Sequence, residues 1–191
     1  ACPQIYTIKT LDIYRDPCIL RRRPPGNPGK ERAAMTDLYL IDRKIVAELM
    51  ADATQPVARI ADRAGLSQTP CWKRIQKLEA NGVLTARVAL ADPAKLGFGL
   101  TVCVGIAAPD HSAAWRDAFL AAVKSIPEIM ESWRMAGEMD YLLRIAVPDM
   151  AAYDALYKRL TDAVPIKNVT SHFAMERMKY TTAYPVDTRN R

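Results

Sequence analysis

The stretch Ala64-Gly65-Leu66-Ser67-Gln68-Thr69-Pro70-Cys71-Trp72-Lys73-Arg74-Ile75-Gln76-Lys77-Leu78-Glu79-Ala80-Asn81-Gly82 decides the reading of this chain. Cys71, Ile75 and Leu78 fall at i, i+4 and i+7, which puts three apolar side chains on one face of a helix. Ser67 stands where an N-cap belongs, and Asn81-Gly82 closes the other end, so a helix is expected over Gln68 to Ala80. Its opposite face holds Gln68, Thr69, Lys73, Arg74 and Lys77, short polar groups at one end and cations beyond. Gly65 supplies a tight turn before it. Upstream, Val57, Ile60, Ala61 and Ala64 give a short helix that begins after Pro56. Before that, Leu38, Ile41, Ile45 and Leu49 give another, with Asp37 as its expected cap. Three short helices with a Gly turn between the last two read as a helix-turn-helix over residues 35–82.

Outward toward the C-terminus, Val83 to Leu90 has strand-like residues. Residues 83–97 are expected as a wing or linking strand ending near Asp92-Pro93. From Phe98 the period changes to two, with Val102, Val104 and Ile106 alternating against Thr101, Cys103 and Gly105. A helix follows at Trp115, Phe119, Leu120 and Val123, stopped by Pro127. Strands are then expected at Ile129–Met135 and Tyr141–Val147, a helix through Tyr153, Leu156, Tyr157, Leu160 and Val164, and a last strand at Val169–Met178. That order is βαββαβ, a ferredoxin-like domain over 98–180 with a tail at 181–191, so the fold class is α+β. Met130, Leu142 and Ala174 lie on the opposite phase to Ile129, Leu143 and Phe173. A second subunit is therefore expected on part of that face.

Length and composition suit one medium globular domain or two small ones. Of 191 residues, 50% are hydrophobic and 25% charged, which excludes a wholly disordered or collagen-like chain. Net charge is +6, but residues 1–34 carry seven Lys and Arg against three Asp and Glu, whereas residues 98–191 balance eleven against eleven. Nucleic-acid contact must then come from a local cluster. The run RRRPPGNPGKERAA marks residues 1–34 as a disordered or artefactual basic extension, with Met35 the expected functional start. The rival reading is a polybasic arm on DNA phosphates. No membrane-length apolar run or secretory signal is read, so a cytoplasmic protein is expected. The four Cys form no CxxC pair, and Cys71 and Cys103 are expected to be buried thiols without metal or cofactor.

Three separated motifs then meet a known family. These are Leu38-x-x-x-Asp42-x-x-Ile45, the Ala64 to Leu84 stretch, and Gly137-Glu138-x-Asp140-Tyr141. Together they resemble the Lrp/AsnC feast/famine transcription regulators over Met35 to about Pro185. TPCWKR, WRMAGEMDYLLR and FAMERMKYTTAYP resemble most the branch that responds to cysteine and controls its detoxification. Most members have Ser or Thr where Pro56 stands, so Thr54 or Gln55 is the alternative cap there. The resemblance implies a DNA-binding helix-turn-helix and a ligand-sensing domain that assembles dimers and often octamers. It places an amino-acid pocket near the Gly137, Glu138, Met139, Asp140, Tyr141 turn, at a subunit junction.

Each site has a plain rival. Ser67, Gln68, Thr69, Lys73, Arg74 and Lys77 are expected to meet double-stranded DNA, the first partly as a cap, the next two at base edges and the cations at phosphates. A solvated basic face is the alternative. Trp72 is expected to pack on the linker or a partner's helices. Glu138 or Asp140 is expected to accept an effector's ammonium while backbone amides hold its carboxylate. A simple tight turn is the alternative. Two other functions remain: an amino-acid-binding module that does not bind DNA, and an enzyme like the sirohaem decarboxylases. The latter needs clustered His and Arg, whereas this chain has only His111, in a polar loop, and His172, on the last strand.

Overall fold

A computed structural model describes residues 38–189, in two compact units. Of the described residues, one unit takes 38–89 together with 179–189 and the other is Leu90–Met178. The basic extension, Met35 and the expected Asp37 cap lie outside the described residues. Among the described residues no helix is long and apolar enough to cross a membrane.

The first unit holds α1 (Leu40–Ala51), α2 (Val57–Ala64) and α3 (Gln68–Ala80). Their apolar stripes converge on one core, in which Ile45, Leu49, Ile60, Ala64, Cys71, Ile75 and Leu78 are buried. Tyr39 occupies the N-cap of α1 and Pro56 that of α2, neither with a side-chain cap. Thr54 and Gln55, the alternative caps of α2, work instead at the end of α1. Gln55 Nε2 donates to the Glu48 and Asp52 carbonyls at 3.0 Å each, satisfying groups that an ending helix leaves open. Gly65 turns the chain with φ 75, and Leu66 N–H donates to the Ala61 carbonyl at 2.9 Å. A side chain at that backbone conformation would be strained, which is why glycine stands there. Val83 N–H closes α3 on the Leu78 carbonyl in the same way, at 2.9 Å.

Residues 83–97 correct the expectation of a wing or linking strand. Leu84 packs on the helical core, but the segment forms no strand and carries only a single 3-10 turn at Ala94–Leu96. It pairs with none of the strands among the described residues.

The second unit follows the expected order: β1 (Leu100–Ala107), α4 (Ala113–Ser125), β2 (Ile129–Arg134), β3 (Tyr141–Val147), α5 (Met150–Ala163) and β4 (Asn168–Phe173). All pairings are antiparallel and the strands lie in the order β2-β3-β1-β4. Val102, Val104, Ile106, Leu143 and Ile145 pack with Phe119 of α4 and with Leu156 and Leu160 of α5. Ser112 Oγ caps α4 by accepting from Trp115 N–H, and Asp149 caps α5 from Ala152 N–H.

Two details depart from simple alternation. β4 stops at Phe173, five residues short of the expected Met178, because its partner β1 begins at Leu100 and only Ala174 N–H still finds a carbonyl there, on Thr101. In β2 a bulge separates Ile129, opposite Ile145, from Ser132, opposite Leu143. The extra residue reverses the phase, so Trp133 lies opposite Leu142 on the face away from the helices. Leu142 lies there as expected. Cys103 also lies on that face, between Arg144 of β3 and His172 of β4, and is partly exposed instead of buried.

Candidate functional site

α3 divides by burial as its sequence implies. Cys71 and Ile75 are fully enclosed, while Gln68, Thr69, Trp72, Lys73, Gln76 and Lys77 are exposed. Burial pushes the Cys71 thiol above its ordinary value, so it stays neutral and acts as a packing group. Thr69, Lys73, Gln76 and Lys77 lie opposite the buried stripe and form the crest of the helix. Gln68 and Thr69 open the first turn, where the backbone N–H groups also point outward. Ser67 occupies the N-cap with an extended backbone, but its hydroxyl makes no capping hydrogen bond, which corrects the expected cap role. That hydroxyl is exposed beside the helix N-terminus. Trp72 is half exposed, and its indole N–H has no hydrogen-bond partner among the described residues.

Arg74 differs from the other cations. Its Nη1 donates to Asp42 Oδ1 of α1 at 2.8 Å, and the Asp42 side chain is only 12% exposed. The sequence quoted both residues but gave no sign that they meet, since 32 positions separate them. Sequence reading also passed over Arg59, an exposed cation on α2, and Arg63 there, which pairs with Glu48 at 2.5 Å.

The second expected site is the connection between β2 and β3. Met135 N–H donates to the Asp140 carbonyl at 2.8 Å and Asp140 N–H to the Ile106 carbonyl at 2.9 Å, tying the turn to the end of β1. Asp140 Oδ2 also accepts from Ala108 N–H at 2.8 Å, and His111 Nδ1 lies 3.9 Å from Oδ1. Gly137 has φ 132, a region that only glycine enters without strain. Glu138 is exposed and unpaired among the described residues. Met139 lies over Gly105 on the open face of the sheet. Tyr141 departs from the expected role: its ring is buried against Trp115 and Phe119, with centroids at 5.7 and 4.6 Å, so it is a core residue whose backbone ends the turn. No group of three or more His, Cys, Asp or Glu among the described residues could hold a metal ion.

Against known proteins, residues 40–79 match the AsnC-type helix-turn-helix domain and residues 101–184 the Lrp/AsnC ligand binding domain. The DNA-binding transcriptional activator DecR of Escherichia coli (strain K12) is 49% identical over 148 residues, 77% of this chain and 97% of that protein. The chain belongs to the Lrp/AsnC family. The glutamate uptake regulatory protein of Zymomonas mobilis is 44% identical over 145 residues, 76% of this chain and 88% of that one. Among solved structures, an AsnC family transcriptional regulator from Agrobacterium tumefaciens has a TM-score of 0.75 at 50% identity, covering 78% of this chain and 97% of its own. A transcriptional regulator from Neisseria meningitidis, solved with L-Met, has a TM-score of 0.73 at 28% identity over the same shares. As an Lrp/AsnC member this protein is a DNA-binding transcription regulator. Its α2–Gly65–α3 segment is the helix-turn-helix and its βαββαβ unit the ligand-binding domain.

Proposed function

We propose that this regulator docks α3 in the major groove and that a small amino acid, cysteine first, sets its affinity for DNA. Gln68 and Thr69 meet base edges, while Lys73 and Lys77 neutralise phosphates and fix register. Ser67 meets a phosphate at the helix N-terminus, where its hydroxyl and the first N–H groups are unspent. The observation that carries this is the exposed polar and cationic crest of a helix whose other face is wholly enclosed. The protein works in the cytoplasm, where its operators are.

The effector's ammonium meets the exposed Glu138 carboxylate at the β2–β3 turn, and Asp140 holds the backbone there through its bonds to β1. Gly137 and Met139 shape the turn, and Tyr141 anchors its end in the core. Trp133 and Leu142 on the open sheet face support a homodimer and, beyond it, an octamer. The amino acid acts by its different affinities for two assemblies or two placements of the DNA-binding units.

The test is titration of the purified protein against duplex from its own upstream region, with and without cysteine, leucine and lysine, alongside calorimetry with each amino acid. Binding that cysteine shifts, and a cysteine isotherm, support the reading. Heat with leucine or lysine but none with cysteine removes cysteine as the effector. No binding to any duplex removes the assignment of α3.

A further inference from the structure

Arg74 sits three residues from Cys71 and four from Leu78, on the flank of the enclosed stripe of α3 and away from the crest that Thr69, Lys73 and Lys77 form. Its guanidinium reaches inward to Asp42, the one buried charged residue in the described core. A carboxylate removed from water in this way needs its cation, because an unpaired buried charge is costly. The pair is neutral as a unit, so it brings no net positive charge to a phosphate. It also joins the first helix of the unit to the third, beside the apolar core that the three helices share.

We infer that Arg74 is a positioning residue: held by Asp42, it fixes how α3 presents Gln68 and Thr69 and makes no phosphate contact of its own. This rests on the α3 assignment proposed above. Lys73 supplies charge and Arg74 supplies angle, so the two differ in what their loss does to binding. Loss of a phosphate contact weakens every sequence alike and lowers the dependence of log K on log salt by about 0.9 per contact. Loss of a positioning contact leaves that slope in place and erodes the preference for one sequence over another.

The experiment selects a preferred duplex from a random pool with the wild-type protein. It then compares that duplex with one of mixed sequence across a salt series, for the wild type, Lys73→Ala, Arg74→Ala and Asp42→Asn. Lys73→Ala should lower the slope and leave the preference ratio unchanged. Arg74→Ala should keep the wild-type slope while the ratio falls about tenfold, the discrimination that one well-placed base contact supplies. Asp42→Asn, which keeps Arg74 and nearly the same shape, guards against a variant that fails to fold. It should also lower the ratio, and a fifth protein carrying both Asp42→Asn and Arg74→Ala should be no worse than Arg74→Ala alone.

A lower slope with an intact ratio for Arg74→Ala makes it a phosphate contact and overturns the inference. So does tighter binding by Asp42→Asn, which would mean that Asp42 had been holding back a contact. A lowered unfolding midpoint with an unchanged ratio in the folded protein leaves Arg74 a purely structural role and overturns it too. If the wild type shows no salt-dependent binding to either duplex, the α3 assignment fails first and the inference falls with it.

Discussion

Ile75 is the residue on which the packing of α3 turns, and Ile75→Ala measures that. It is fully enclosed, at i+4 from Cys71 and three before Leu78, and packs with Ile45, Leu49 and Ile60. Replacing it with Ala removes three carbon groups, a transfer loss of about 2.4 kcal/mol at ~0.8 kcal/mol per buried methylene. The cavity left behind raises the cost to about 3–4 kcal/mol. For a small unit, a loss of that size is a large part of a total stability of about 5–15 kcal/mol. Hydrogen exchange followed in peptides from α1, α2 and α3 reads the opening free energy of this unit directly. Gln76→Ala, on the exposed crest beside it, is the control and should stay within about 0.5 kcal/mol. A loss below about 1 kcal/mol for Ile75→Ala, or an equal loss for Gln76→Ala, would show that α3 does not bury the face described and would refute the reasoning.

Three further predictions concern the ligand-binding unit. Asp140→Ala removes the acceptor of the Ala108 N–H and should cost about 1–3 kcal/mol, whereas Asp140→Asn keeps an acceptor and should cost clearly less. Equal unfolding midpoints for the two would contradict the hydrogen-bonding role. Gly105→Ala places a Cβ 3.2 Å from Met139 Sδ, so it should cost about 1 kcal/mol, and a Met139→Ala background should relieve it. A penalty that persists there would have another cause. The Asp110 carboxylate is held below its ordinary range by hydrogen bonds from Ser112. Its pKa is lower folded than unfolded, so its stabilisation is present above about pH 4 and is lost as pH falls through the lowered value. Unfolding midpoints between pH 5 and 2 should therefore fall less steeply in Asp110→Asn, and identical slopes would contradict this.

Local pattern made much of this fold legible. Cys71, Ile75 and Leu78 marked α3 because a helix repeats its face every three or four residues, and the bounds follow from Gly65 and from Asn81-Gly82. Val102, Val104 and Ile106 marked β1 by alternation. What stayed hidden depends on distant partners. Trp133 changed face because of one bulge, which alternation cannot see. β4 ended where β1 ran out, and residues 83–97 paired with none of the described strands. In the candidate site, the exposed crest followed from helical geometry, but Arg74 looked like Lys73 until Asp42 met it across the core. Tyr141 looked like part of the turn until its ring joined Trp115 and Phe119.

The central claim is that the crest of α3 carries charge to a duplex. The most direct measurement is the salt dependence of binding for the wild type and for Lys73→Ala/Lys77→Ala, on a mixed-sequence duplex. A slope reduced by about 1.8 per subunit, two contacts at about 0.9 each, is the predicted result. Equal slopes for the two proteins would mean that phosphates are met elsewhere, and would contradict the account.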